Sequence, residues 1–259
     1  MIRQIFKEQE LPMGELQKLG LATGSALHLD EDDLSALLAG RRTDMLRLEN
    51  LDRDGLHIPA LDAKLSLRRK DDGALELLAH PIYKQPLAPS FLTDTEAEQL
   101  AKGEAVNVLK TIPDGEGDKR DVLVEFDKDT NEFIVVNTDQ VTVPEEINGK
   151  PLTAEQKERY RKGKEVTTDD GTTIQYSAKD KQAIRSDRLA LIASILTDGG
   201  VSYVLFKGLN AMFNRPQKEP GNNFHQTLAS LPAEQAKAFI KKIEPDNDAD
   251  EEYTETLSR

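Results

Sequence analysis

The sequence predicts an α+β fold, and three observations carry that prediction. Leu61, Ala63, Leu65 and Leu67 alternate with Asp62, Lys64, Ser66 and Arg68, the period-two pattern of a half-buried strand. Before them lie short apolar-periodic runs that stop at glycine, the signature of brief helices. After them a capped helix feeding a strand occurs twice. The expected layout is a helical start and β-meander over residues 1–90, a first helix–hairpin module over 91–150 and a second over 151–180. A helical region over 181–243 and a disordered acidic tail over 244–259 complete it.

In chain order, Leu11-Pro12 opens a helix whose apolar positions are Met13, Leu16 and Leu19, with Gly20 as the stop. Asp30 to Asp33 place acids at the positive end of a second helix, whose Leu34, Leu37 and Leu38 precede Gly40. From Met45 the pattern turns to strands. Asp54-Gly55 and Asp72-Gly73 are hairpin dipeptides, so residues 45–83 read as a three-stranded antiparallel meander. Pro81, Pro86 and Pro89 make an extended connection into the next unit.

Leu92–Val106 and Leu152–Val166 match at six of fifteen positions without a gap. In each copy a threonine (Thr93, Thr153) takes the N-cap position, with Glu96 or Gln156 three residues on to close a capping box. Gly103 and Gly163 supply the left-handed residue that ends the helix. Strands follow: Val122–Phe126 should pair with Phe133–Val136, and Glu165-Val166 with Thr173–Tyr176. A duplicated α+β module is the reading. The stretch Leu189–Phe213 is the most apolar, interrupted by Asp198-Gly199-Gly200 and by Lys207. It reads as a buried helical hairpin rather than a membrane span, with Leu189, Ile192, Leu196, Val204, Leu205 and Phe213 as its docking residues. A last helix carries Ala233, Ala236, Phe239, Ile240 and Ile243 on one stripe.

Composition narrows the chemistry. The 259 residues carry a net charge of −13 and include no cysteine, which excludes disulfides, thiolate metal sites and cysteine nucleophiles. His28, His57, His80 and His225 are scattered without ligand spacing, and neither a phosphate-binding glycine loop nor a serine nucleophile elbow occurs. Asp127-Lys128-Asp129-Thr130-Asn131 begins like a calcium loop but has Glu132 where the glycine belongs and Thr138 where the final acid belongs. A hairpin turn fits better. No cofactor, metal or catalytic residue is expected, and the charged N-terminus together with the interrupted apolar stretch points to the cytoplasm.

Basic residues concentrate in the meander. Arg41, Arg42, Lys64, Arg68 and Lys70 are the candidate partner or nucleic-acid surface, with Lys64, Arg68 and Lys70 on one face of a strand. No aromatics are interleaved for base stacking.

Leu37–Thr43 together with Leu65–Gly73 resembles domain of unknown function 4099, an N-terminal domain of uncharacterised proteins on conjugative transposons. Ile147–Thr153, leading to Gly163 and Val166, resembles its companion, domain of unknown function 3945. The resemblance implies a mobile-element or DNA-transfer setting and no established activity.

These features lead to the expectation of a non-enzymatic interaction protein: an adaptor or accessory subunit of a mobile-element or phage-related assembly for DNA processing or defence. A protein partner is expected, nucleic acid is a second candidate, and no oligomeric state is specified. The alternatives are a DNA-associated factor using the basic meander face, an acidic DNA mimic, and an enzyme of unrecognised type.

Overall fold

The computed structural model describes residues 5–53, 55–114, 117–197, 200–207 and 222–237. Phe213, Phe239, Ile240, Ile243 and the acidic segment 244–259 lie outside the described residues.

The architecture is α+β, with antiparallel sheets and few helices. Helix α1 (Met13–Lys18) is followed by the two-residue strands β1 (Ala22–Thr23) and β2 (Ala26–Leu27), then by α2 (Glu31–Leu38). Asp30 caps α2 by accepting from the Asp33 amide, so the run of acids sits at the helix's positive end. Strands β3 (Leu46–Arg53), β4 (Leu56–Arg69) and β5 (Leu75–Pro81) form the meander, with Leu46 opposite Ala63 and Arg69 opposite Leu75. Ala63, Leu65 and Leu67 turn inward from β4 and pack with Leu16, Leu37 and Leu48. Burial of one strand face against two short helices explains why the alternation is so clear in sequence.

Helix α3 (Asp94–Lys102) has its predicted capping box: Thr93 accepts from the Glu96 amide while Glu96 accepts from the Thr93 amide. Gly103 closes it at φ 77°. Strands β6 (Val108–Pro113), β7 (Lys119–Asp127) and β8 (Glu132–Asn137) form an antiparallel sheet centred on β7. A small hairpin follows, β9 (Glu146–Ile147) and β10 (Lys150–Pro151), turning on Asn148 and Gly149, both at positive φ. Helix α4 (Ala154–Arg161) repeats the capping box with Thr153 and Gln156. Strands β11 (Val166–Thr167), β12 (Thr173–Tyr176) and β13 (Ile184–Ser186) form a second three-stranded sheet.

The last part of the chain corrects the expectation of a helical region from 181. β13 already lies inside it, and the apolar stretch forms two strands, β14 (Ala190–Thr197) and β15 (Gly200–Lys207), paired from Ala190↔Lys207 to Thr197↔Gly200. The apolar run shows no period because both faces are covered over the part away from Leu196 and Val201, so pattern alone does not separate strand from helix. Leu191, Ala193, Ile195 and Phe206 enter the main core, while Ala190, Ile192 and Leu205 pack against Leu228 and Leu231. Helix α5 (Asn222–Ser230) supplies Leu228.

β14 also pairs with β9, Ala193 opposite Ile147, giving the sheet order β10-β9-β14-β15. The largest core joins Leu123 and Ile134 of the first sheet, Tyr160 of α4, Ile174 of the second sheet and Leu191 of the hairpin. The hairpin is therefore woven into the centre of the structure.

Candidate functional site

The basic residues of the meander do not form one outward face. β4 carries Lys64, Arg68 and Lys70's neighbour Arg69 along its length, but what covers the strand changes from end to end. Near Lys64 the turn joining β7 to β8 lies over the sheet. Lys64 is 5% exposed and its Nζ meets Asp127 Oδ2 at 2.9 Å and Asp129 Oδ2 at 2.8 Å. Arg42 is also buried, 2.7 Å from Glu132 Oε2 and 3.8 Å from Asp127 Oδ2. Burial alone would push the Lys64 ammonium down, but the hydrogen bonds to Asp129 and Asp127 outweigh it and raise its pKa. Arg68 and Lys70 remain exposed beyond the covered part, and Arg68 pairs with Glu76.

Thus the failed calcium-loop motif and the basic patch are partners of each other. Asp127, Asp129 and Glu132 of the hairpin turn satisfy Arg42 and Lys64 of the meander. His80 joins them, with Nδ1 3.2 Å from Glu132 and Nε2 2.8 Å from the Ser66 hydroxyl. Burial, followed by the charge of Arg42, lowers its pKa and favours the neutral ring. A second clasp comes from Lys181, whose Nζ lies 2.6 Å from Asp44 and 3.5 Å from Asp33.

Arg41 behaves differently from Arg42. At the end of α2, Gly40 takes φ 70°, and the Arg41 amide reaches back to the Ala36 carbonyl at 2.8 Å. This Schellman closure turns the chain so that Arg41 points into the seam between the meander and the later sheets. Its Nε and Nη2 are sealed from water and have no hydrogen-bond partner among the described residues. Among the described residues, no carboxylate pairs with it. Burial lowers its pKa, with the Tyr176 and Tyr160 hydroxyls as nearby partial counterweights.

Arg41 lines a cavity of about 470 Å³ where three units meet. The meander contributes Ser66 and His80, the first sheet Ile134, the following turn Val141, and the second sheet Tyr176. Asp139 stands exposed at its rim. Sequence reasoning named Arg41 but for an outward face; it did not name Tyr176 or His80 as its neighbours. The signal available for Arg41 was its place immediately after a helix-stopping glycine.

Glu125 on β7 has no exposed surface. It accepts from the Ala178 amide at 2.8 Å, the Ser177 hydroxyl at 3.0 Å and the Lys179 amide at 3.4 Å. The segment Ser177–Lys181 thereby fastens the second sheet to the first and, through Lys181, to α2 and the segment leading into β3.

Of the six residues expected to dock, Ile192 and Leu205 are buried and Val204 packs on the main core. Leu189 and Leu196 are exposed, and Phe213 lies outside the described residues. Among the described residues there is no His, Asp and Glu grouping suited to a metal ion, and no helix long and apolar enough to cross a membrane.

Residues 6–89, the N-terminal helices and the meander, match a family model described as "Protein of unknown function (DUF4099)". No curated protein and no solved structure matches the chain.

Proposed function

We propose that the chain is a non-enzymatic interaction protein, an adaptor or accessory subunit in a mobile-element or phage-related assembly that processes DNA or serves defence. The observation that carries this reading is the apolar pair Leu196 and Val201. They are register partners across β14 and β15 and are 59% and 52% exposed. Strand alternation puts them on the same face as Ile192 and Leu205, which α5 and Leu231 cover nearer the hairpin's base. Exposed apolar side chains that continue a covered face offer a partner surface to bury.

The mobile-element setting rests on the resemblance of the N-terminal and repeated segments to conjugative-transposon proteins. The assignment of the segment around Ile147–Val166 to domain of unknown function 3945 rests on the same resemblance. On this reading the two capped helices and their sheets are duplicated scaffold modules, and the protein works in the cytoplasm.

Affinity capture of the tagged full-length protein from its native host tests the proposal. The wild type should retain a protein partner that the Leu196→Glu, Val201→Glu double variant loses, since both positions are exposed and the fold should tolerate the change. A monomeric wild type that captures no partner and turns over a substrate overturns the proposal.

A further inference from the structure

We infer that the Arg41 cavity is a binding site for a small organic anion, one carboxylate or phosphate group attached to an apolar body. This goes beyond the adaptor reading and does not depend on it.

The argument starts from an uncompensated charge. Two neighbouring buried cations have their acids within the chain: Arg42 has Glu132, and Lys64 has Asp127 and Asp129. Arg41 lies one residue from Arg42 and has none among the described residues. Holding a guanidinium out of water without a counter-ion costs several kcal/mol in general, so a fold retains one where something else completes it. Two of its nitrogens, Nε and Nη2, are sealed without partners among the described residues, and Arg41 is part of the cavity's lining. An anionic oxygen placed there would give the guanidinium the partner it lacks.

The walls specify the rest of the ligand. The cavity, about 470 Å³, has the size of a small-molecule site. Ile134, Val141 and Tyr176 present apolar surface to the ligand's body. The Ser66 hydroxyl and the His80 ring, already bonded to each other, add a neutral polar end. The exposed Asp139 at the rim disfavours a second negative charge at the mouth, so a single anionic group fits best.

The test uses the full-length protein with benzoate and phenyl phosphate as probes, benzyl alcohol as the uncharged control and sodium chloride to match ionic strength. Melting temperature and the NMR signals of the Tyr176 and His80 rings are followed together. One or both anions should raise the melting temperature and shift the two rings, while the alcohol and the salt should not. A response to benzoate alone assigns a carboxylate, and a response to phenyl phosphate alone assigns a phosphate. Arg41→Met should bind the active probe roughly ten- to a hundredfold more weakly, the loss of one charge-assisted hydrogen bond. The same variant should melt no lower than the wild type, because it removes an unpaired buried charge. The inference is overturned if neither anion moves the wild-type rings, or if Arg41→Met binds as well as the wild type. It is equally overturned if Arg41→Met melts well below the wild type, because the guanidinium would then already have its partner inside the chain.

Discussion

Glu125 and Arg41 are both charged side chains drawn into the interior, and the fold treats them in opposite ways. Glu125 receives two backbone amides and a hydroxyl, yet burial still dominates and its pKa is pushed up to about 7 from an ordinary value near 4.5. The sign of the pH dependence follows from the raised value. Between these two pH values the folded chain holds a proton that the unfolded chain has lost, so the stability Glu125 contributes is complete below about 4.5 and falls as pH rises through about 7. Carbon-detected NMR of the Glu125 carboxyl should give a midpoint near 7. A midpoint near 4.5 would contradict this account of its surroundings. The fate of Glu125 is not visible in sequence: it reads as the polar position of an alternating strand, and only the segment Ser177–Lys179, more than fifty residues on, makes it internal.

At the scale of elements, the helices and the first sheet were legible because their signals are local. Capping boxes, glycine stops and a strand with one covered face are written within a few residues of where they act. The β14–β15 hairpin was not legible, since coverage on both faces away from Leu196 and Val201 erases its alternation. A glycine at the join of two elements gives a sharper test than the caps do. Gly163 adopts φ 69°, and its carbonyl accepts from Asn107 at 2.9 Å and Gln175 at 2.8 Å. A Cβ there would lie 2.7 Å from Asn107 side-chain atoms, whereas Gly171, at φ 75°, has open space around it. Gly171→Ala should cost about 1 kcal/mol for the left-handed backbone alone. Gly163→Ala should cost at least about 1 kcal/mol more, because the contact between the post-α3 segment and the post-α4 turn must also give way. Urea denaturation of the two variants measures the difference, and equal losses would mean that this contact contributes nothing.

Across the whole molecule, the meander and the first sheet are joined by charges that the sequence displays far apart. Lys64 and Asp127 stand 63 residues from each other. Strand alternation grouped Lys64 with Arg68 and Lys70, but it could not say that an acidic turn would cover Lys64, and Lys70 lies past the end of β4. The basic patch is accordingly split, with Arg42 and Lys64 spent on internal pairing and Arg68 and Lys70 left outside. The Arg41 cavity lies along the same joint, so whatever fills it would touch the meander and both later sheets at once.

That joint is the central structural claim, and a double-mutant cycle on Lys64 and Asp127 tests it most directly. Each of Lys64→Met and Asp127→Asn should cost about 1–3 kcal/mol in urea denaturation, because each removes one partner from a buried network in which Arg42 still faces Asp127 or Asp129 still faces Lys64. The double variant should lose less than the sum of the two, by about 1–3 kcal/mol of coupling. Two losses below about 0.5 kcal/mol each, adding without coupling, are the behaviour of exposed independent charges and would contradict the joint.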